Sequence, residues 1–488
     1  MVKKTKIVAT LGLVSDTKET LRAMIENGMN VARLNFSHGD HEWHGKAIKT
    51  IRELSAEMNV PIGILGDLQG PRIRTMMEAP IEIKTGEFIL ISDVAKAPNF
   101  QFPISSFQTI SNEQISSDKK LTLDAGNIVD DIEVGHEILI EDGLMKLVVR
   151  EKNGGVMLGE VIDGGTVKNR KGVNVPDSQL KISAVTEKDE RDLKFLMENE
   201  VDFIGLSFVG SGEDVEYLRG KMKEFLGRED NLPQIIVKVE RKEAIKNLDD
   251  IIAKTDAVMV ARGDLGIEIE GTRVAVLQKE IVKKSLQHMK PVIVATQMLD
   301  SMIVNPRPTR AEISDVTNAV VDHADAVMLS GESAGGKYPV ESVRTMRDII
   351  QHTEASPFDD VTHLLELDGN DDFKNLVKSA FSLARNSESK AIVLASVSGF
   401  TARMMSHFRS EKPLFVATNN EKTYHQLALV WGAQPYFTQE KELSKVLEEM
   451  IDYRKSTGEL KDGDKVIAIF GSAHDNKEKM QLVGVKTI

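Results

Sequence analysis

Eight short Val- and Ile-rich runs, alternating with stretches of helical periodicity, constrain the fold of this 488-residue chain more than any other feature. Three lie near the start: Lys6–Thr10, Asn30–Phe36 and Pro61–Leu65. Between them run two helical periods, Ser15–Asn27, with Ser15 or Asp16 expected as its cap, and His44–Met58. The other five are Phe203–Phe208, Ile235–Val239, Ala257–Val260, Pro291–Ala295 and Ala326–Leu329. Strand followed by helix implies a parallel sheet. Eight such units predict an α/β fold built on a (β/α)8 TIM barrel.

The texture changes between residues 72 and 171. Glu87–Ile91, Glu137–Ile140, Lys146–Val149 and Val156–Val161 alternate apolar and polar residues and are separated by Gly and Asp turns, with no long helix. This predicts an inserted small β-barrel domain. Beyond the last barrel unit, the polar stretch Ser356–Asn370, with Asp359, Asp360 and Asp368, reads as a linker. A separate α/β unit follows: helix 373–386, strand Ala391–Ala395, helix 401–408, strand Leu414–Thr418, helix 422–430 and strand Lys465–Phe470. The expected domains are therefore a barrel of 1–71 and 172–350, an insertion of 72–171, and a C-terminal α/β domain of 351–488.

A chain this long exceeds a single core. Its 41% hydrophobic and 28% charged residues are those of a soluble globular protein. A net charge of −13 disfavours nucleic acid, which requires a basic face. With no cysteine, disulfides and thiolate metal sites are excluded. No apolar run reaches the ~18 residues of a membrane span. The start, Met-Val-Lys-Lys-Thr-Lys, leads directly into a strand without a signal-like apolar stretch, so no membrane association and a cytoplasmic location are expected.

Active sites of (β/α)8 proteins lie at the carboxyl ends of the strands. Those ends carry Arg33 to His38, Asp67 to Gly70, Lys238-Val239-Glu240, Arg262-Gly263-Asp264, Thr296-Gln297 and Ser330 to Ser333, with Arg74 just beyond. Lys238 and Glu240 alternate onto one face of their strand, where two charges are poorly suited to a core. Glu240 and Asp264 suit a Mg2+ ion, which takes one or two carboxylates and completes its shell with water and substrate oxygens. Arg33 and Arg74 suit bidentate phosphate recognition. Lys238 supplies a point charge where negative charge develops.

Plainer readings compete. Lys238 and Glu240 alone would read as an ion pair, and Arg33 and Arg74 as solvated arginines. Thr296 could cap a helix starting at Gln297. His38, His41 and His44 are spaced three apart, but Trp43 intrudes and further ligands are missing, so they read as solvated or nucleotide-adjacent. Thr309 to Glu312 fits a capping box.

Taken together the motifs resemble pyruvate kinase over nearly the whole chain. They are TKIVATLG (Thr5–Gly12), GMNVARLNFSHGD (Gly28–Asp40), DLQGPRIRT (Asp67–Thr75), KGVNVP (Lys171–Pro176), Ser207–Val209, Val237–Glu240, MVARGDLGIE (Met259–Glu268), ATQMLDSM (Ala295–Met302), PRPTRAEISD (Pro306–Asp315) and MLSGESA (Met328–Ala334). The resemblance implies phosphoryl transfer from phosphoenolpyruvate to ADP, giving pyruvate and ATP. It implies catalytic roles for Arg33, Arg74, Lys238 and Thr296, and substrate binding by Arg33, Lys238, Gly263, Asp264 and Thr296. Asn35, His38, Arg74 and Lys171 would follow the nucleotide phosphates. Glu240 and Asp264 would hold Mg2+ or Mn2+, and the insertion would act as a lid.

The family's monovalent-cation positions are occupied by Asn35, Ser37, Asp67 and Leu68, but Arg72 stands where potassium-dependent members carry Glu. A fixed cation there would repel K+ and replace its charge, so K+ is expected not to be required. Leu13, for a usual Pro, and Gly210, for a frequent Arg, are lesser departures. Ser396, Ser398, Gly399 and Thr401 resemble an effector loop for a phosphorylated ligand, whereas the family's Gly-rich turn is not recognisable in Gly471 to Asn476. A homotetramer is also implied. The competing functions are a metal-dependent lyase of the enolate-forming barrels and a non-catalytic paralogue.

Overall fold

Eight parallel strands close the barrel: Lys6–Thr10, Val31–Asn35, Gly63–Asp67, Phe203–Leu206, Gln234–Val239, Ala257–Ala261, Val292–Ala295 and Ala326–Leu329. They are seen in a computed structural model that describes residues 3–93, 115–124, 126–153, 155–178, 180–358, 372–470 and 482–488. Each strand neighbours the next in sequence, and the first pairs with the last through Lys6↔Ala326 to Ala9↔Leu329. Successive residues alternate between two cores. Val8, Val31, Leu65, Phe203, Ile236, Met259, Ile293 and Met328 fill the barrel interior, while Ile7, Ala32, Ile64, Ile204, Ile235, Val258 and Val292 face the surrounding helices. Burial on both faces explains why these strands read as continuous apolar runs.

The third strand runs Gly63–Asp67, two residues later than expected from sequence. Its new end pairs Asp67 with both Asn35 and Gly205, which draws a carboxylate into the barrel mouth. The first helix is Lys18–Glu26 and its cap is Thr17, which accepts from the Thr20 N–H. Asp16 instead accepts from Trp43 Nε1 at 3.0 Å. The second helix begins at His41, earlier than expected, because Asp40 accepts from the Trp43 N–H and stops the chain from entering the helix later. The Thr309–Glu312 capping box starts the Arg310–Val321 helix.

The insertion forms a closed barrel of seven strands with its own core, including Ile89, Leu121, Ile138, Leu147 and Met157. The four expected segments lie within it. Ile73–Thr75, Ile115–Asp124 and Gly172–Asn174 were not legible, being either three residues long or, in ISSDKKLTLD, largely polar. The C-terminal unit is a five-stranded sheet in the order Ala433–Phe437, Leu414–Thr418, Ala391–Ala395, Lys465–Phe470 and Leu482–Thr487. Its two edge strands escaped the sequence reading. One contains Pro435, which edge strands tolerate, and the other is mostly exposed. The Leu443–Ser456 helix also escaped it. The expected helix 422–430 is a helix at Glu421–Gln426 followed by a tighter turn at Leu427–Leu429. The linker reading at 359–370 and the Gly471 to Asn476 segment lie outside the described residues.

This unit docks at the amino ends of the barrel strands, opposite the mouth. Ala428 and Leu429 enter the interior core. Arg409 pairs with Asp325 through contacts of 2.9 and 3.1 Å, donates to His323 O at 2.7 Å and lies over the Trp431 ring. Glu354 accepts from the N–H groups of Lys4 and Thr5 at 2.8 and 2.6 Å. Among the described residues, no helix is long and apolar enough to cross a membrane.

Burial at this junction pushes the His425 and His323 imidazoles down to about 4, with Arg409 adding to the effect at His323. Their neutral forms belong to the fold, whereas unfolded imidazole titrates near 6.5. Stability is therefore full above pH 6.5 and falls as pH drops towards 4, by about 3 kcal/mol for each imidazole at the lower end. Thermal melts between pH 7 and pH 4.5 are expected to show this loss, and His425→Gln is expected to flatten part of it.

Candidate active site

The strand ends bring four charged side chains into one desolvated cluster. Arg33 and Lys238 are 8% and 7% exposed, and Asp67 and Glu240 are 1% exposed. Arg33 Nε donates to Asp67 Oδ2 at 2.7 Å and its Nη1 to Thr10 Oγ1 at 2.9 Å. Lys238 Nζ lies 3.2 Å from Glu240 Oε2 and 3.8 Å from Asp67 Oδ1. It donates to Ser207 Oγ at 2.8 Å, and the Ser207 hydroxyl in turn donates to Leu68 O at 2.8 Å. Register places Arg33 beside Thr10 and Leu65, and Asp67 beside Gly205, so backbone pairing sets the geometry before any side chain chooses a rotamer.

Burial alone would lower the Lys238 pKa, but Asp67, Glu240 and Asp264 together outweigh it and raise the ammonium above its ordinary value. Burial pushes Asp67 up, yet Lys238 and Arg33, with Arg72 behind them, hold its carboxyl below the usual range. Glu240 is raised. Burial dominates there, Lys238 offsets only part of it, and Asp264 adds repulsion. Glu240 Oε1 accepts from the Phe208 N–H at 2.7 Å, while Oε2 is buried with no hydrogen-bond partner, as is Asp67 Oδ1. An electron-rich oxygen held by the Lys238 ion pair alone, with the Asp264 carboxylate close enough to repel it, is a donor set that fits a hard divalent cation.

Asp264 and Gly263 lie in the Arg262–Glu268 helix, which starts directly after the sixth strand. The Gly263 N–H donates to Thr296 Oγ1 at 2.8 Å, and that hydroxyl donates to Ala295 O at 2.6 Å. Gly263 is thus already partnered by another predicted site residue. Thr296 caps no helix. It and Gln297 have φ of 70° and 55°, and the next helical turn begins only at Asp300. Such left-handed residues cost roughly 1–3 kcal/mol each and persist only where their surroundings impose them. A cleft of about 770 Å³ opens beside Gly263, Asp264 and Gln297, with Asp142 of the insertion on its far wall.

Arg74 and Lys171 are held together at the base of the insertion. Arg74 Nη1 donates to Arg170 O at 3.0 Å, the Lys171 N–H to Thr75 Oγ1 at 2.9 Å, and Lys171 Nζ pairs with Glu141. Asn174 reaches across to the barrel, donating to Glu268 Oε1 at 3.1 Å. At the second strand's end, Asn35 Oδ1 accepts from the Ser37 N–H, and the His38 carbonyl accepts from His44 Nε2 at 2.9 Å. His41 pairs with Asp192 at 2.7 Å, while His44 turns to the His38 carbonyl, so the His41 and His44 rings are directed to different partners. In the C-terminal unit Gly399, at φ 71°, leads the Phe400–His407 helix, and Ser396 and Thr401 are buried beside it. This loop is remote from the barrel-mouth cluster.

Three contributors escaped the sequence reading as individuals: Thr10, Ser207 and Arg262. Ser207 sat in a recognised motif, but only the fold reveals its hydrogen bonds. Glu332 looked available at a strand end, yet its two oxygens accept from Leu299 N–H and Ser330 N–H at 3.0 and 2.8 Å and so act in the scaffold.

Residues 2–343 match the family model "Pyruvate kinase, barrel domain", and residues 374–485 match "Pyruvate kinase, alpha/beta domain". A pyruvate kinase of Geobacillus stearothermophilus is 41% identical over 482 residues, covering 96% of this chain and 78% of the relative. One of Clostridium perfringens is 43% identical over 437 residues, covering 88% of each. The crystal structure of a pyruvate kinase from Cryptosporidium parvum superposes with a TM-score of 0.88 at 32% identity, covering 99% of this chain and 96% of that one.

Asp67→Ala would leave Arg33 and Lys238 without the carboxylate they share. The expected cost is about 3–5 kcal/mol, read as a lower urea midpoint. An unchanged midpoint would mean that the cluster is wetter than its burial indicates.

Proposed function

Because the chain belongs to the pyruvate kinase family, whose reaction converts phosphoenolpyruvate and ADP to pyruvate and ATP, we propose how its own residues carry that reaction. The observation that carries the proposal is the buried Lys238 ammonium ion-paired with the buried Glu240 carboxylate at the barrel mouth. Arg33 and Arg74 would grip the phosphoryl group. An oxygen of the ADP β-phosphate attacks phosphorus, and the bond from phosphorus to the enol oxygen breaks. Lys238 stabilises the moving charge, already held protonated by its carboxylate neighbours. Thr296 orders the water that gives a proton to C3 of the enolate, completing pyruvate. Asn35, His38 and Lys171 would accompany the nucleotide phosphates, and the insertion would exclude water.

Glu240 and Asp264 would hold Mg2+ or Mn2+, which supplies Lewis-acid neutralisation of the phosphate and enolate oxygens. The Glu240 oxygen that accepts no hydrogen bond supports this assignment. K+ is proposed to be dispensable: the Arg72 charge acts on Asp67, whose Oδ2 is also occupied by Arg33, and the Leu68 carbonyl accepts from Ser207. Residues 1–71 and 172–350 would form the catalytic unit and 72–171 the lid, with the boundary strand Gly172–Asn174 completing the lid's barrel, and 351–488 would form a regulatory unit. There Ser396, Ser398, Gly399 and Thr401 would receive a phosphorylated effector at the start of an eight-residue helix. A cytoplasmic homotetramer working in glycolysis completes the reading. Glucose-derived sugar phosphates and AMP, titrated into dialysed enzyme, test the effector.

Purified protein is expected to form pyruvate from phosphoenolpyruvate only when ADP and a divalent cation are both present. Pyruvate formation without ADP would favour the lyase, and no turnover the non-catalytic paralogue. Glu240→Gln is expected to abolish the Mn2+ binding seen by calorimetry, and unchanged binding would contradict its role. Replacing K+ with tetramethylammonium is expected to leave activity within about tenfold, since a fixed charge substitutes for the ion.

A further inference from the structure

Two consecutive left-handed residues, one of them β-branched, need something to hold them, and at Thr296-Gln297 that is a single guanidinium. Arg262 Nε donates to Ala295 O at 3.3 Å, and its Nη2 donates to Thr296 O at 2.7 Å and Gln297 O at 3.4 Å. The same Nη2 lies 2.8 Å from Met298 Sδ. Nη1 reaches Asp315 Oδ1 at 2.7 Å and Gln278 Oε1 at 3.3 Å, anchoring the side chain to the two helices behind the loop. Three successive carbonyls thus turn towards one half-buried side chain. The Thr296 hydroxyl is fixed between this carbonyl row and the Arg262–Glu268 helix, donating to Ala295 O at 2.6 Å and accepting from the Gly263 N–H at 2.8 Å. Arg262 directly precedes Gly263 and Asp264, so one residue joins the helix bearing a carboxylate of the site to the loop bearing Thr296.

We propose that Arg262 is a positioning residue: it imposes the left-handed Thr296-Gln297 turn and thereby fixes the Thr296 hydroxyl relative to Gly263 and Asp264 for the protonation of the enolate. This rests on the reading of Thr296 given above. Lysine cannot replace Arg262, because a point ammonium lacks the planar fork that spans three carbonyls while still reaching Asp315.

The test separates proton transfer from substrate binding. Exchange of the pyruvate methyl protons into D2O, with ATP and Mg2+ present, is followed by NMR beside turnover and the KM for phosphoenolpyruvate. Arg262→Lys is expected to slow exchange and kcat together by about tenfold or more, with KM within about threefold, as misplacement of one group does. Gln297→Gly in the Arg262→Lys background is expected to restore exchange in part, because glycine adopts positive φ without strain. Should Arg262→Lys fail to fold, Asp315→Asn, which loosens the anchor alone, is expected to slow exchange in the same way with a smaller amplitude. If Thr296→Ala abolishes exchange but Arg262→Lys and Asp315→Asn leave it unchanged, the positioning role is overturned. If Thr296→Ala itself retains full exchange, the reading of Thr296 falls and the proposal falls with it. A uniform loss in Arg262→Lys that Gln297→Gly does not relieve overturns the left-handed turn as the cause.

Discussion

The structure depends on one electrostatic arrangement: two cations and two carboxylates, Arg33, Lys238, Asp67 and Glu240, withdrawn from water at the mouth of a parallel barrel. Each ion taken alone would cost several kcal/mol to bury, so the set is tolerable only because opposite charges meet at hydrogen-bond or ion-pair distance. Those distances are imposed by strand register. A slip of one residue would turn Lys238 or Asp67 to the wrong face of its strand and leave the others uncompensated. The closed ring of eight strands is therefore both the source of the cluster's geometry and the reason its charges are dry. The balance is deliberately incomplete, since Glu240 and Asp67 each keep an oxygen without a hydrogen-bond partner.

The other two units leave that mouth free in different ways. The seven-stranded insertion follows the third barrel strand directly and returns through Asn174 to Glu268, so Arg74 and Lys171 are carried to the rim on backbone that is itself hydrogen-bonded. The C-terminal sheet closes the opposite end, where Ala428 and Leu429 plug the interior and Arg409 with Asp325 seals the junction. The charged cluster at the mouth and the docking at the base are thus separated by the length of the barrel strands. Changes at the base reach the site only through the strands and helices between them.

Much of this was legible in sequence because a doubly buried parallel strand has a strong signature. The eight runs, and the charges that punctuate their ends, already put Arg33, Asp67, Lys238 and Glu240 at one end of the barrel, where the fold brings them together. What was not legible falls into two physical kinds. Short or polar strands such as Ile73–Thr75, Ile115–Asp124 and Ala433–Phe437 exist because tertiary partners accept them, and their own sequence carries little preference. Backbone conformation at functional turns was the other kind. Thr296 stands at the strand end in sequence, with a helix cap as its plainer alternative, but nothing in its local sequence announces a left-handed φ. The hydrogen bonds of Ser207 and Arg262 span 16 to 139 residues and become visible only once the barrel is closed.

The central claim is that Lys238, held protonated by the surrounding carboxylates, stabilises the phosphoryl group in transfer. Turnover of phosphoenolpyruvate and ADP by Lys238→Met, measured in a lactate-dehydrogenase-coupled assay beside wild type, tests it most directly. Loss of such a preorganised charge is expected to lower kcat by about 100-fold or more while the variant stays folded and still binds divalent cation. A folded Lys238→Met protein that keeps most of its turnover would contradict the account.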